Sequence, residues 1–241
     1  MRTRVLSLSA IFLIGLTPGS FGQERTRSTQ PRYILFLMAD GMGVDELELA
    51  RQYSLEVLGR DLFITSVLAE KGVAALADTY SLSSEVTDSA AGATAWAIGR
   101  KVKNGMISVD PDTNDPLQTV LEFYKEKHGY RTGIVSNDAI TGASPSAWAA
   151  HVKDRGMAEE IARQFCDQTR PFVILGGGRS AFLPGNRKDG RDLIEDFVTE
   201  HGYQHVQTAR ELATVKEGPV LGLFGNGVLT LHIDRPPAGA A

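Results

Sequence analysis

The sequence predicts an α/β fold with a largely parallel central sheet and helices on both of its faces. Short, continuous apolar runs alternate along the chain with segments whose apolar residues recur at helical spacing. This alternation is typical of βαβ units, which build parallel sheets. The 241 residues are enough for one good-sized core, and the single cysteine among them excludes an intrachain disulfide.

The first part of the chain contains two predicted strands and two predicted helices. Residues 33–39 (YILFLMA) form a continuous apolar run, as expected for a strand covered on both faces. Residues 44–58 carry apolar side chains at helical spacing, and residues 72–77 (GVAALA) favour a second strand. The small residues that follow Asp88 predict a helix that packs closely against the sheet.

The rest of the chain continues the alternation of helix and strand. Gly129 is a typical C-cap for the helix that precedes it. The predicted helices span residues 116–128, 157–168 and 192–201. The predicted strands span residues 131–136 (RTGIVS), 171–175 (PFVIL) and 220–224 (VLGLF), and the second of them leads into three consecutive glycines.

The amino terminus predicts an exported protein. Arg2 and Arg4 precede an apolar run over residues 5–16, and residues 20–22 (SFG) offer small side chains for cleavage before Gln23. The run is shorter than the roughly 20 apolar residues that span a bilayer. Residues 1–22 are therefore interpreted as a signal peptide, with no membrane anchor after cleavage and a periplasmic or extracellular location.

The predicted domain organisation follows the composition. Residues 23–31 are polar and predict a flexible lead-in. Residues 32–234 are interpreted as one α/β domain, and residues 235–241 as a disordered tail.

The charge balance and the lone cysteine limit the partners. Loss of Arg2 and Arg4 with the leader lowers the basic count from 25 to 23, against 29 acidic residues. This mildly acidic balance, without a basic stripe, predicts no nucleic-acid-binding surface. Cys166 is expected to be a small buried side chain, and the lack of a CxxC pair excludes thiolate zinc sites.

A carboxylate directly follows the first predicted strand. Asp40 comes after residues 33–39 and before Gly41-Met42-Gly43. Ligands of α/β sheets collect at the carboxyl ends of the strands, so Asp40 is a candidate ligand for zinc or a hard cation. The alternative is a turn or N-cap aspartate before the next helix.

A serine opens the helix of small residues in the segment VTDSAAGATAW, residues 86–96. Backbone N–H groups and the positive end of the helix dipole make a phosphate site next to Ser89. The alternative is that Asp88 or Ser89 only caps the helix. No GxSxG or GxxxxGK[ST] motif is present, so a bound metal is the remaining route to activate the Ser89 hydroxyl.

These segments resemble the signature sequences of alkaline phosphatases. The similar segments are ADGMG (39–43), VTDSAAGATAWAIG (86–99), VSNDAITGASPSAWAAHVKDR (135–155), LGGGR (175–179) and LGLFGNG (221–227). The similarity covers about residues 33–234, nearly the whole chain after the leader. It implies an alkaline-phosphatase-like α/β fold and hydrolysis of small-molecule phosphate monoesters through a phosphoserine intermediate, with zinc and magnesium as cofactors.

The resemblance assigns roles at five positions. Asp40 matches an aspartate that bridges a zinc and a magnesium, and Ser89 matches the nucleophile. Asp88 matches the aspartate that helps to hold a phosphate-binding arginine. Arg155 matches that arginine, whose planar fork suits two phosphate oxygens. Ser144 matches a hydroxyl ligand of the magnesium.

Two departures from the family pattern affect the metals. Two residues before Ser144 the family usually carries aspartate or histidine, and this chain has Gly142. The third metal is therefore expected to bind weakly, to be replaced, or to use a nearby group such as Asp138 or water. The Asp-x-x-x-His and Asp-His patterns that supply the family's zinc ligands are absent. No zinc ligand is expected among the five histidines, His128, His151, His201, His205 and His232.

The sequence leaves two main readings open. In the first, the chain is the N-terminal half of an alkaline phosphatase and is active when completed by its missing half or by another chain, with a homodimer or a complementing C-terminal chain as the possible partner. In the second, it is an inactive exported fragment of such an enzyme, with an incomplete sheet and exposed strand edges. A metal-dependent sulfatase or phosphodiesterase is a third reading, which the VTDSAAGATAW segment disfavours.

Overall fold

The computed structural model describes residues 13–14, 33–231 and 234. The chain divides into two compact units, Met1–Thr79 and Tyr80–Ala241. The predicted lead-in and tail lie outside the described residues, and so does the predicted signal peptide apart from Leu13–Ile14. In the described part of the chain, no helix is both long and apolar enough to cross a bilayer.

The first unit consists of a short β-ribbon followed by helices. Strands β1 (Leu13–Ile14) and β2 (Leu35–Phe36) pair antiparallel. Helix α1 (Val44–Leu58) has the predicted bounds and ends at Gly59, which takes the left-handed conformation with φ 65°. A π-helical turn (Ile64–Leu68) leads into the short helix α2 (Ala69–Lys71).

The strand predicted over residues 33–39 is mostly wrong. Only Leu35–Phe36 is a strand, and the side chains are not covered on both faces, since Leu35 is 57% exposed and Leu37 is 55% exposed. A buried strand needs neighbours that supply its ladder hydrogen bonds. Among the described residues, the strand that pairs with this run is the two-residue β1.

The strand predicted over residues 72–77 is also wrong. These residues have no regular secondary structure, and Val73 and Leu76 are 89% and 80% exposed. Within the described part of the chain, no strand pairs with them. Apolar composition alone therefore does not make this segment a strand.

The second unit contains a parallel sheet of four strands. In spatial order they are β3 (Gly133–Ala139), β4 (Val173–Gly177), β6 (Val220–Leu223) and β5 (Gln204–Val206), and all neighbours are parallel. Strands β3, β4 and β6 overlap the predicted strands, whereas β5 has no apolar run that would predict it. The α/β class with a largely parallel sheet is confirmed.

Six helices accompany this sheet in the described part of the second unit. They are α3 (Ser89–Ile98), α4 (Val120–His128), α5 (Ala143–Ser146), α6 (Ala158–Gln164), α7 (Leu193–Thr199) and α8 (Ala209–Leu212). Helix α6 continues as a π-helical turn, Phe165–Thr169. Helices α4, α6 and α7 correspond to the predicted ones, and Gly129 is the left-handed C-cap of α4 with φ 66°.

The core of the second unit is formed by strands and helices together. Cys166 is fully buried, as expected, and burial raises the pKa of its thiol to about 12. The largest fully buried side chains include Ile161, Phe165, Ile174, Phe182, Leu193, Phe197, Leu221 and Leu223. They come from β4, β6, α6 and α7 or from the turns that follow α6 and β4.

The end of β4 meets the loop that follows β6. The N–H of Gly178 donates to the carbonyl of Gly227, and the N–H of Arg179 donates to that of Gly225, both at 2.9 Å. A Cβ on Gly177 would lie 3.1 Å from the carbonyl carbon of Gly227 and closer still to its oxygen. The close approach of two backbones therefore requires glycine at position 177.

Gly177→Ala is expected to lower the free energy of unfolding by about 1–3 kcal/mol, the usual cost of forcing extra atoms into a packed site. Chemical denaturation with a two-state fit measures the change. Gly185→Ala is the matched control, because a Cβ there meets nothing within 4 Å. A Gly177 variant as stable as the control variant would contradict the close approach.

Candidate functional site

Ser89 is the first residue of α3, and Asp88 is the N-cap of this helix. The N–H of Ala91 donates to Asp88 Oδ1 at 2.9 Å, which satisfies one of the N–H groups that a helix leaves unpaired at its start. Ser89 is half-buried. The inner face of the helix consists of small residues that are at most 3% exposed: Ala90, Ala91, Ala93, Thr94 and Ala97.

Asp88 holds the guanidinium group of Arg155. Arg155 Nη1 donates to Asp88 Oδ2 at 3.1 Å, and the same oxygen accepts the N–H of Gly105 at 3.0 Å. The Arg155 side chain is 43% exposed and the Asp88 side chain is 26% exposed. The carboxylate is thus fixed by two backbone N–H groups, and it orients an arginine that still faces solvent.

Gly105 joins the two partners through its backbone. Its N–H binds Asp88, and its carbonyl accepts the N–H of Arg155 at 2.8 Å. Two residues further on, Ile107 and Val152 exchange hydrogen bonds of 2.9 and 3.0 Å in an antiparallel bridge. The segment that carries Arg155 is therefore aligned with the segment after α3 over several residues.

Helix α3 is fastened to the same segment by a buried threonine. Thr94 is fully buried; it donates to the carbonyl of Met106 at 3.3 Å and accepts the N–H of Ser108 at 3.0 Å. Ser108 is also fully buried and donates through its hydroxyl to the carbonyl of Ala147 at 2.5 Å. These contacts fix the position of α3 relative to the residues that precede Arg155.

His151, four residues before Arg155, forms a buried ion pair with Glu122. His151 Nε2 is 2.9 Å from Glu122 Oε1, and their side chains are 8% and 14% exposed. His151 Nδ1 is 2.8 Å from the carbonyl oxygen of Ser108. The carbonyl oxygen and the ionised carboxylate both accept hydrogen bonds, so these contacts favour the doubly protonated imidazolium form of His151.

The pKa values of this pair move in opposite directions. Burial acts to lower the pKa of His151, but the hydrogen bonds to Glu122 and to the Ser108 carbonyl raise it above its usual 6.5. Burial acts to raise the pKa of Glu122, but the hydrogen bonds from His151 and from the N–H of Thr119 bring it below its usual 4.5. Each charge therefore stabilises the other.

Ser144 lies in α5, the short helix that follows β3. It is half-buried, and α5 packs against α3. The structure thus brings Asp88, Ser89 and Arg155 together and places the helix of Ser144 against the helix of Ser89. Gly142 is the N-cap of α5, and Asp138 is in the last part of β3.

Asp40 lies in the first unit, in the turn between β2 and α1, and is exposed. Divalent metals are the cofactors expected for Asp40 and Ser144. Within the described residues, no group of three His, Cys, Asp or Glu side chains is placed to hold a metal ion. The described residues therefore do not form a complete zinc site. Asp138 and Ser144 carry side-chain oxygens, the type of ligand that magnesium prefers.

An open cavity of about 570 Å³ lies elsewhere in the second unit. Arg179, Asp192, Glu195, His205 and Gln207 line it together with apolar side chains. None of the predicted site residues lines this cavity. Burial and the nearby Arg179 charge lower the pKa of His205.

Sequence reasoning missed two residues that build the Asp88–Arg155 contact. Asn104 Oδ1 accepts the N–H of Asp88 at 3.1 Å, and Asn104 Nδ2 donates to the carbonyl of Val86 at 3.1 Å. Gly105 contacts both Asp88 and Arg155, as described above. The signal was present in the sequence, because Asn-Gly is a strong turn dipeptide.

A helix N-terminus that begins with a serine, with an arginine bound to the N-cap aspartate, is an arrangement suited to binding a phosphate group. The model of the alkaline phosphatase family matches residues 31–240, and the chain belongs to this family. It is 34% identical over 258 residues to streptomycin-6-phosphate phosphatase of Streptomyces griseus, covering 98% of this chain and 57% of that protein. It is 35% identical over 265 residues to the repressible alkaline phosphatase of Saccharomyces cerevisiae, covering 97% of this chain and 46% of that protein.

Solved structures of the family are similar in fold to this chain. The alkaline phosphatase of a Shewanella species has a TM-score of 0.69 and 33% identity, over 81% of this chain and 46% of that one. The Thermus thermophilus enzyme has a TM-score of 0.66 and 33% identity, over 76% of this chain and 37% of that one. The chain thus spans about half the length of these relatives. A variant of the alkaline phosphatase from the Antarctic bacterium TAB5, 29% identical with a TM-score of 0.57 over 64% of this chain and 43% of that one, has magnesium bound.

Proposed function

We propose that this chain takes part in the hydrolysis of phosphate monoesters, with Ser89 as the nucleophile that forms a phosphoserine intermediate. The observation that carries the proposal is the ion pair between Asp88 and Arg155 at the first turn of α3. It places a cation next to a helix-initial serine, at a helix end that itself attracts anions.

Arg155 would hold the phosphate oxygens. Its contact with Asp88 uses Nη1, and the side chain is 43% exposed. A guanidinium has five N–H donors in a planar fork, so donors remain for two phosphate oxygens. Asp88 would act through Arg155, because it fixes the orientation of the fork.

The reaction would consist of two in-line displacements at phosphorus. In the first, the Ser89 oxygen forms a bond to phosphorus, and the ester oxygen leaves with the bonding electrons and takes up a proton. In the second, a water oxygen attacks the same phosphorus, the bond to Ser89 breaks, and the serine hydroxyl is restored as phosphate leaves. The N–H groups of the first turn of α3 and Arg155 would stabilise the negative charge in both steps.

Divalent metals, when bound, would favour deprotonation of the attacking hydroxyl and would neutralise developing negative charge. We assign Asp40 as a zinc and magnesium ligand and Ser144 as a magnesium ligand. A complementing C-terminal chain would provide the remaining zinc ligands, and a homodimer is the other possible assembly. The pattern of residues 1–22 supports export to the periplasm or the cell exterior.

The test is hydrolysis of a chromogenic phosphate ester at alkaline pH with zinc and magnesium. The chain from Gln23 is assayed alone and with a C-terminal half-chain that carries the Asp-x-x-x-His pattern. We expect turnover in the completed sample and its loss on addition of a chelator. Turnover that persists in the chelator would overturn the metal-dependent mechanism, and no turnover in either sample would overturn the enzymatic proposal in favour of a phosphate-binding fragment.

Arg155→Ala is expected to weaken the binding of inorganic phosphate by about 1.5–3 kcal/mol, the range for a hydrogen bond to a charged group. Asp88 keeps its bonds from Ala91 and Gly105 in this variant, so α3 should stay capped. Titration calorimetry measures the change. Arg155→Lys is the matched control, which keeps the charge, loses the fork and should fall between the other two proteins. Equal phosphate affinity in all three would exclude Arg155 as a ligand.

A further inference from the structure

Gly142 and Asp138 occupy the same space after the end of β3. A Cβ on Gly142 would lie 3.0 Å from Asp138 Cγ and closer still to its Oδ2, and 2.8 Å from the carbonyl oxygen of Ala139. Gly142 has φ −63° and ψ 161°, a conformation that any residue adopts. The φ and ψ angles of residue 142 therefore do not require glycine. The Asp138 carboxylate and the turn that follows it do.

The Asp138 carboxylate is held in this place from one side. The N–H of Ala139 donates to Asp138 Oδ1 at 2.6 Å, and the N–H of Asp138 itself donates to Ser136 Oγ at 3.1 Å. These contacts leave Oδ2 directed at Gly142, two residues before Ser144. The oxygen thus lies where a side chain at position 142 would begin.

We propose that Asp138 supplies the carboxylate that the family carries at position 142, and that Asp138 and Ser144 together form the magnesium-binding part of this chain. This inference rests on the proposed function. Carboxylate and hydroxyl oxygens suit magnesium, which is usually held by one or two carboxylates and keeps several waters. The glycine at position 142 then complements Asp138, because the lack of a side chain there leaves room for the carboxylate at the end of β3.

The competing role for Asp138 is structural, as a cap for the N–H of Ala139 in the turn between β3 and α5. A cap stabilises the chain equally with and without magnesium, whereas a ligand stabilises it only when the metal is bound. Asp138→Asn separates the two roles, since the amide keeps the oxygen that accepts the Ala139 N–H and loses the negative charge. The thermal midpoint with and without metal is therefore the informative measurement.

Four forms of the full chain are compared: wild type, Asp138→Asn, Gly142→Asp, and the double variant Asp138→Ala with Gly142→Asp. Thermal midpoints are measured in a chelator and in increasing magnesium. The wild type should gain about 5–10 °C at a magnesium concentration 100-fold above its dissociation constant. Asp138→Asn should lose this gain and keep the midpoint that the wild type has in the chelator.

The exchange variants test the shared space. Gly142→Asp should lower the midpoint even in the chelator, because its side chain meets the Asp138 carboxylate. The double variant should recover the magnesium gain, because the carboxylate then comes from position 142. It should not recover the full midpoint, because the new Cβ still meets the carbonyl oxygen of Ala139. An equal magnesium gain in wild type and Asp138→Asn, no gain in the wild type, or no magnesium gain in the double variant would overturn the inference.

The same samples separate this inference from the proposed function. Ser89→Ala should keep the magnesium gain in the thermal midpoint, because Ser89 is not one of the two proposed ligands. If Ser89→Ala retained full ester hydrolysis, the proposed nucleophile would be wrong while the Asp138 result stood. If Asp138→Asn kept the magnesium gain and Ser89→Ala lost hydrolysis, the proposed function would stand and the Asp138 assignment would fall.

Discussion

Ser89→Ala is expected to reduce the hydrolysis of a chromogenic phosphate ester by at least about 10³-fold in the completed sample. The change removes the oxygen that would bond to phosphorus, and losses of this order or larger follow when a catalytic nucleophile is deleted. Steady-state rates at saturating metal measure it. An acid quench during turnover should also leave a phosphoryl group on the peptide that contains Ser89 in the wild type and none in the variant.

The variant should remain folded, which makes the loss interpretable. Asp88, not Ser89, caps α3 by accepting the N–H of Ala91, and alanine has a higher helix propensity than serine. The free energy of unfolding should therefore change by less than about 1 kcal/mol. Ser84→Ala, at an exposed serine outside α3, is the matched control and should retain the wild-type rate. An unchanged rate in Ser89→Ala would exclude Ser89 as the nucleophile.

Elements with strong local signals were predictable from the sequence. The apolar runs behind β3, β4 and β6, and the Asp-Ser start of α3, each combine a pattern with a distinct boundary. Gly129 ends α4 in the left-handed conformation as its position suggested. In these places propensity, capping and packing favour the same structure.

The failures occur where the outcome depends on distant neighbours. Residues 33–39 have the composition of a buried strand, yet Leu35 and Leu37 are more than half exposed. Strand β5 has a mixed Gln-His-Val sequence and becomes a strand because its backbone pairs with β6. The strand with which a segment pairs cannot be deduced from a local sequence pattern. The sequence therefore predicted too long a strand at residues 33–39 and did not predict β5.

At the candidate site, too, features with a local sequence signal were predictable and features that depend on distant contacts were not. The Ser89 region was recognisable because the helix start and its small residues are adjacent in sequence. Arg155 is 67 residues from Asp88, and on local pattern alone it would be a solvated charge. Its place depends on the bonds of Gly105 to both partners, which only the folded chain reveals. The resemblance gave the assignment of Arg155, and the physical reason for its position came from the structure.

The His151–Glu122 pair is the feature near Arg155 with the largest expected effect on stability. Its side chains are 8% and 14% exposed, so removal of one partner leaves a charge in a poorly hydrated place. His151→Ala is expected to lower the free energy of unfolding by about 3–5 kcal/mol near pH 6. Arg100→Gln, which breaks an ion pair with Asp110 where the arginine is 52% exposed, should cost at most about 1 kcal/mol.

The pH dependence of this pair has a definite sign. The pKa of His151 is raised in the folded chain, so its contribution is complete below about pH 6.5 and is lost as the pH rises through the higher folded value. The pKa of Glu122 is lowered, so its contribution is present above about pH 4.5 and is lost as the pH falls through the lower folded value. The pair is therefore strongest between these two values. Denaturant unfolding at a series of pH values should show wild-type stability declining on the alkaline side more steeply than that of the double variant His151→Gln with Glu122→Gln. Parallel curves for the two proteins would mean that His151 does not carry the charge that its two acceptors require. A difference in slope would measure how much of the stability lost at alkaline pH comes from deprotonation of His151.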